Sequence, residues 1–170
     1  MSDRKEKDKF LEIYDSYSDA IYRHCYFRVF SKERAEELVQ ETFVRAWQYI
    51  AGNKDIENMR ALLYRIATNL IIDDSRKRKE ESLEAMIENE IIDEPGDKGH
   101  IDMERNVLWK QVFEEMKALD NDDRQVLIMR FVDDLDPREI AEILETSANN
   151  VSVRINRAVK KLKTKINESY

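Results

Sequence analysis

Apolar residues recur every three or four positions through the first half of the chain, which is the period of one face of an α-helix. Three such stretches predict three helices before residue 80. Their apolar positions are Phe10, Ile13, Tyr14, Tyr17, Ile21 and Cys25 in the first, Ala35, Leu38, Val39, Phe43, Ala46, Trp47 and Ile50 in the second, and Leu62, Leu63, Ile66, Ala67, Leu70 and Ile71 in the third. Gly52 and Asn53 break the pattern between the second and third helices. The pattern predicts a small helical domain over residues 1–79.

The helical spacing is lost in the acidic stretch EESLEAMIENEIIDEPGDKGH, which spans residues 80–100. This stretch contains Pro95, Gly96 and Gly99, residues that interrupt regular structure. We therefore predict an acidic linker over residues 80–100, with a short helix around residues 83–87.

Helical spacing then returns and predicts a second domain over residues 101–170. Its first helix carries the apolar residues Val107, Leu108, Val112, Met116 and Leu119. Asp122 is the predicted N-cap of the short apolar helix that follows. The next helix, PREIAEIL, has Asp136 as its predicted cap, Pro137 at the first helical position and Glu139 in place to complete a capping box. The last helix is predicted to begin near Ser147.

The last two helices and the short turn between them have the pattern of a helix-turn-helix, whose second helix enters the major groove of DNA. The side chains predicted to pack between these helices are Ile140, Ile143, Leu144, Val151, Ile155 and Val159. At 100° per residue, the opposite face of the last helix presents Asn149, Val153, Asn156, Arg157 and Lys160. Asn and Arg suit base edges and Lys suits phosphate. The competing interpretation of this segment is an ordinary solvated basic helix.

The charge distribution favours the DNA-binding interpretation. The 170-residue chain has a formal net charge of -7, yet residues 146–166 contain six Arg or Lys and no Asp or Glu. Net acidity does not exclude nucleic acid, because the local field at the contact face decides the attraction. Hydrophobic residues at 42%, charged residues at 38%, three glycines and two prolines favour an all-α protein with a charged surface.

Several classes of function lack the residues they need. No apolar run approaches the ~20 residues that span a bilayer, and no apolar signal region follows the charged amino terminus. Cys25 is the single cysteine, which fits a reducing compartment, so we predict a cytoplasmic protein. His24 and His100 stand apart, and no glycine-rich phosphate loop is present. We predict no metal, no cofactor, no catalytic residue and no enzyme activity.

Three segments resemble the extracytoplasmic-function (ECF) group of bacterial sigma factors. LDNDDRQVLIMRFVDDLDPREIAEILETSANNVSVRINRAVKKLK resembles region four, which reads the upstream promoter element. RAEELVQETFVRAWQYI and LLYRIATNLIIDDSRKRK resemble region two, which binds polymerase and the downstream element. The resemblance implies a region-two helical bundle and a region-four helix-turn-helix. It implies core RNA polymerase, through its beta and beta-prime subunits, and promoter DNA as partners. Many relatives are held by an anti-sigma factor, and no residue here identifies one.

The resemblance also implies roles for three groups of residues. The face expected to bind the clamp helices of the beta-prime subunit contains Glu37, Gln40, Glu41, Val44 and Arg45. The residues expected at the downstream element are Arg65, Asn69, Asp73, Arg76, Lys77, Arg78 and Lys79. Those expected at the upstream element are Asn149, Asn150, Ser152, Val153, Asn156, Arg157, Lys160 and Lys161. Arg154 lies at the border of the apolar stripe and has pairing with Glu139 or Glu142 as its alternative role.

The chain departs from the family pattern on or beside these surfaces. Asp120 replaces the usual Pro, Asn149 and Asn150 replace Gly-Thr, and Ser152 and Val153 replace Lys-Ser, so the promoter preference of the family does not transfer. Met59 and Leu62 replace a common aromatic pair, which either weakens the capture of unpaired bases or shows that the pair packs in the core. We predict core packing for Leu62, because it falls on the apolar stripe.

Two other functions remain open at this point. A conventional DNA-binding regulator would use only the carboxy-terminal helix-turn-helix, and a helical adaptor would bind only proteins. The first leaves the face around Gln40 and the basic SRKRK segment without a role. Binding to core polymerase distinguishes the sigma factor from the regulator, and salt-dependent promoter binding distinguishes it from the adaptor.

Overall fold

The computed structural model describes residues 2–52, 54–82 and 103–168, with side chains up to Lys79 and again from Lys110. The chain divides into two compact units. The first contains α1 (Ser2–Val29), α2 (Lys32–Ala51) and α3 (Met59–Ser82). The second contains α4 (Met103–Ala118), α5 (Asn121–Leu127), a π-helix (Ile128–Val132), α6 (Pro137–Leu144) and α7 (Ala148–Glu168).

The predicted all-α class is confirmed. The linker and its short helix fall mostly outside the described residues, although α3 extends past the predicted boundary at residue 79.

The three helices of the first unit enclose one core. Phe30 adopts a left-handed backbone conformation (φ 52°) between α1 and α2, and the Ser31 hydroxyl then caps α2 by accepting the amide of Arg34 at 3.4 Å. Gly52 ends α2 where the sequence predicts a break. The predicted apolar stripes supply most of the core, including Ile21 and Leu63, which are fully buried. Burial of such side chains is the main favourable contribution to folding.

The core packing predicted for Leu62 is only partly confirmed. Leu62 is only half-buried, whereas its neighbour Leu63 is fully buried. The sequence pattern could not separate them, because a stripe two residues wide includes both positions. Met59 is also half-buried, so neither residue of the substituted aromatic pair lies fully inside the core.

The cap of α5 differs from the prediction. Asp120, not Asp122, precedes the helix, and its Oδ1 accepts the amide of Asp123 at 2.9 Å. Asp122 lies inside the first turn and is exposed. This N–H···O bond lowers the pKa of Asp120, because it stabilises the carboxylate. The Pro-to-Asp departure at this position therefore supplies a helix cap.

Arg124 links α4 to α5. Its guanidinium donates to the carbonyl oxygens of Met116, Lys117 and Leu119 at 3.0, 2.6 and 2.9 Å. These carbonyls lie at the end of α4, where the helix offers no intrahelical partners. Burial lowers the pKa of Arg124, because it disfavours the charged form. The side chain acts as a cap for the end of α4.

The short apolar helix predicted to continue from α5 instead changes into the π-helix. Ile128 and Met129 are fully buried, but Phe131 is 64% exposed. Asp134 then adopts a left-handed conformation (φ 54°) before α6 begins. The prediction for α6 is confirmed at its cap: Asp136 Oδ1 accepts the amides of Arg138 and Glu139 at 2.9 and 3.0 Å.

Candidate nucleic-acid and protein interfaces

A short turn sets the start of α7. Glu145 ends α6 in a left-handed conformation (φ 55°), and the amide of Thr146 donates to the carbonyl of Ala141 at 3.0 Å. The Ser147 hydroxyl then accepts the amide of Asn150 at 3.1 Å. These bonds fix the rotation of α7 against α6, so that the predicted start near Ser147 is confirmed.

The two faces of α7 differ as the pattern predicts. Val151, Ile155 and Ala158 are buried, while Val159 is half-buried. The exposed residues on the opposite side are Asn149, Val153, Asn156, Arg157 and Lys160, which we call the reading face. Asn150 is exposed and donates from Nδ2 to the Thr146 hydroxyl at 3.2 Å, and Ser152 is half-buried. Contact between the reading face and DNA stays a prediction.

Lys161 has partners within its own unit. Its Nζ donates to Asp123 Oδ2 at 2.7 Å and lies 3.7 Å from Asp120 Oδ2. The hydrogen bond that Lys161 donates to the Asp123 carboxylate raises the pKa of Lys161, because it stabilises the charged ammonium. Lys161 therefore links α7 to the start of α5, whereas the sequence assigned it only to DNA phosphate.

Arg154 is exposed and, within the part of the chain that the structure describes, forms no ion pair with Glu139 or Glu142.

The second basic surface lies along the carboxy-terminal half of α3. Asn69, Asp73 and Arg76 are exposed on this helix, as are the residues at 77, 78 and 79, while Arg65 is half-buried. Asp74, on the same helix, accepts ion pairs from two arginines. It pairs with Arg34 of α2 and lies 3.6 Å from Nε of Arg78.

The third surface combines α2 with the amino-terminal half of α1. All five predicted polymerase-binding residues are exposed, and Arg45 Nε donates to Glu41 Oε1 at 3.1 Å. Beside them runs an open apolar groove lined by Lys7, Phe10, Leu11, Tyr14, Gln40, Phe43, Val44 and Trp47. Leu11 and Tyr14 are 57% and 42% exposed. The apolar pattern does not predict a role for Leu11, because this residue lies off the apolar stripe of α1. A single leucine among the polar residues outside the stripe is the signal in the sequence that could have indicated it.

The sigma-70 region 2 family matches residues 13–81, and the sigma-70 region 4 family matches residues 110–162. The ECF RNA polymerase sigma factor SigW of Bacillus subtilis is 30% identical, over 96% of this chain and 91% of that protein. The chain belongs to the ECF sigma factors. The resemblance seen in the sequence is thereby confirmed. The sigma factor is also 28% identical to RNA polymerase sigma factor YlaC of Bacillus subtilis, over 97% of this chain and 96% of that protein.

Two solved structures share the fold of this sigma factor. One is the sigma factor RpoE in complex with the anti-sigma factor NepR from Bartonella quintana, with a TM-score of 0.74 and 20% identity over 95% of this chain and 96% of that chain. The other is CnrH in complex with the cytosolic domain of CnrY, with a TM-score of 0.71 and 21% identity over 96% of this chain and 91% of that chain. At these identities the likeness concerns the fold alone.

The described residues contain neither a membrane-spanning helix nor a cluster of metal-binding side chains. Across residues 2–52, 54–82 and 103–168, no helix combines the length and the apolar character needed to cross a membrane. In the same ranges, no three His, Cys, Asp or Glu side chains are grouped so that they could hold a metal ion.

Proposed function

We propose that this sigma factor binds core RNA polymerase through its first unit and directs it to promoters, with α7 at the upstream element and the end of α3 at the downstream element. The observation that carries the proposal is the segregation of charge in an acidic chain. The reading face of α7 is exposed and belongs to a segment without Asp or Glu. DNA attracts such a face through its phosphates, and its amide and guanidinium groups match base edges. Sigma factors are not enzymes, and the proposed function requires no catalysis by this chain.

The exposed surface of α2 supports polymerase binding. Glu37, Gln40, Glu41 and Arg45 surround Val44, which is 51% exposed and lines the apolar groove. An apolar centre with a charged rim is typical of protein interfaces, whereas a DNA-binding face would lack the two carboxylates. We propose that this surface docks on the beta-prime subunit. A regulator that used only the helix-turn-helix would leave it without a role.

The contacts of Asp74 support a role for the adjacent Asp73 in reading the downstream element. An aspartate in this basic segment could serve simply to form ion pairs within the protein. Asp74 does so, through Arg34 and Arg78. Asp73 lies beside it, exposed on α3, and no ion pair is seen for it among the described residues. Its carboxylate is available to accept a hydrogen bond from an exposed base. We propose that Asn69 and Asp73 contact bases and that the basic residues at 76–79 contact phosphates.

A double substitution on α2 tests the polymerase-binding surface. We expect Gln40→Ala with Arg45→Glu to weaken the pull-down of purified core polymerase, because it alters the rim of the surface without touching a buried residue. Circular dichroism should show unchanged helix content. Arg23→Glu is a matched control, because it reverses one exposed charge on α1 and should bind core as the unaltered protein does. Undiminished pull-down by the double variant would remove this assignment.

Transcription in vitro with purified core enzyme tests the function as a whole. The sigma factor should support initiation from promoter-bearing DNA, and both the α2 variant and an Arg157→Ala variant should reduce it. A helix-turn-helix regulator would bind DNA without this dependence on α2. A protein-only adaptor would show no salt-dependent binding to promoter DNA.

A further inference from the structure

Val153 is the one apolar member of the reading face. It is 45% exposed, and it lies between Asn149, four residues earlier, and the pair Asn156 and Arg157, three and four residues later. These spacings put the residues in one row along the helix. The buried stripe that begins at Val151 is on the other side, so Val153 adds nothing to the core.

An exposed valine alone is ordinary, but its position makes this one informative. It lies near the amino-terminal end of the second helix of a helix-turn-helix, the part that contacts base edges in that motif. Its neighbours leave it accessible. The Asn150 side chain is bonded back to Thr146, and Ser152 is half-buried. Val153 is therefore exposed in the part of α7 that, in this motif, faces the base edges.

A valine side chain offers neither donor nor acceptor, so it can distinguish bases only by apolar contact. In the major groove, thymine is the base that carries a methyl group, at C5. We infer that Val153 selects a thymine in the upstream element by contact with its 5-methyl group. The inference rests on the proposed function, because it requires α7 to enter the major groove. Asn149, Asn156 and Arg157 would then contact the bases or phosphates on either side of this thymine.

Deoxyuridine provides the test, because it lacks only the 5-methyl group and keeps every hydrogen-bonding group of thymine. The preferred upstream element is first selected from randomised DNA by the complex of this sigma factor with core polymerase. Each thymine of the selected element is then replaced singly by deoxyuridine, and binding is measured. Burial of one methyl group predicts about a three- to fivefold loss of affinity at one thymine.

The variant Val153→Ala should bind the element more weakly and lose the distinction between thymine and deoxyuridine at that position. Because Val153 is exposed, the substitution should leave the circular dichroism spectrum unchanged. Asn156→Ala is the matched comparison: it should weaken binding yet keep the full thymine-to-deoxyuridine ratio.

Two results would overturn the inference while leaving the proposed function intact. One is a selected element in which no thymine responds to loss of its methyl group. The other is a methyl-sensitive thymine that Val153→Ala still distinguishes from deoxyuridine. If the complex selects no DNA sequence at all, the proposed function fails, and the assignment of Val153 fails with it.

Discussion

Helices α3 and α7 have the same arrangement of apolar and basic faces, but their basic side chains form different kinds of ion pair. Each buries an apolar stripe and exposes polar and basic side chains on its other side. In α3, Nε of Arg78 lies 3.6 Å from Oδ2 of Asp74, which is one turn earlier on the same helix. The side chain of Arg78 is 43% exposed and that of Asp74 is 31% exposed. In α7, Nζ of Lys161 lies 2.7 Å from Oδ2 of Asp123, which belongs to a different helix, α5. The side chain of Asp123 is only 11% exposed.

This difference separates two kinds of basic residue that the sequence cannot distinguish. An exposed pair within one helix contributes only about 0.3–0.5 kcal/mol, and Asp74 also pairs with Arg34, so the pair with Asp74 does little to hold Arg78 in place. Removing Lys161 from a mostly buried carboxylate would leave that carboxylate without its cation. We therefore expect Arg78 to exchange its pair with Asp74 for a DNA phosphate and Lys161 to hold α7 against α5.

The largest expected effect is on the core stripe of α3. Leu63→Ala should destabilise the first unit by about 2–5 kcal/mol, because Leu63 is fully buried. Leu62→Ala should cost less, about 1–2 kcal/mol, because part of its side chain remains in water. Urea unfolding of the full chain measures the loss, and hydrogen exchange shows whether it falls on the first unit. Equal losses would mean that the two leucines are equally buried. A stable Leu62→Ala protein that has lost only promoter opening would instead give Leu62 a role in strand capture.

The next effect concerns sequence discrimination by α7. Arg157→Ala should cost about 1–3 kcal/mol of binding free energy on the preferred upstream element and relax preference at one position, as loss of a base-edge partner does. Binding to matched and scrambled elements across a range of salt concentrations measures both effects. Lys160→Gln is the comparison, because a phosphate contact contributes to all sequences alike. If Lys160→Gln alters discrimination and Arg157→Ala does not, α7 is rotated from the proposed orientation.

The sequence predicted what depends on local periodicity and local capping. The apolar stripes of α1 to α3, the cap at Asp136 and the two faces of α7 follow from spacing along one helix. The choice of Asp120 over Asp122 as a cap depends on where α5 begins, and three nearby aspartates leave that open. The link from Lys161 to Asp123 joins residues 38 positions apart, so no local pattern could show it.

A third prediction separates the two neighbouring lysines of α7. Lys160→Gln should lower the log–log salt slope of DNA binding by about 0.9 and leave thermal stability unchanged, because Lys160 is exposed. Lys161→Gln should lower the melting temperature and change the salt slope little, because its ammonium group is bound to Asp123. Asp123→Asn should lower the melting temperature in the same way. A full slope change for Lys161→Gln at unchanged stability would return Lys161 to the phosphate contacts.

The smallest effect concerns how the two helices begin. At the start of α3, Asn58 Oδ1 accepts the amide of Ala61 at 3.1 Å, with no residue at positive φ among those described there. The turn before α7 instead requires Glu145 to adopt φ 55°, a conformation in which the Cβ of a non-glycine residue is crowded.

Glu145→Gly should therefore stabilise the second unit by about 0.5–1 kcal/mol, because glycine adopts positive φ without crowding and part of that gain is offset by its greater freedom when unfolded. Urea unfolding of the full chain, combined with hydrogen exchange of the second unit, measures the gain. Glu145→Ala is the control, because it removes the same carboxylate but keeps the Cβ atom. If alanine stabilises the unit as much as glycine, the carboxylate rather than the backbone is the source of the cost. If glycine gives the gain and DNA discrimination is unchanged, the turn carries conformational strain that reading of the upstream element does not need.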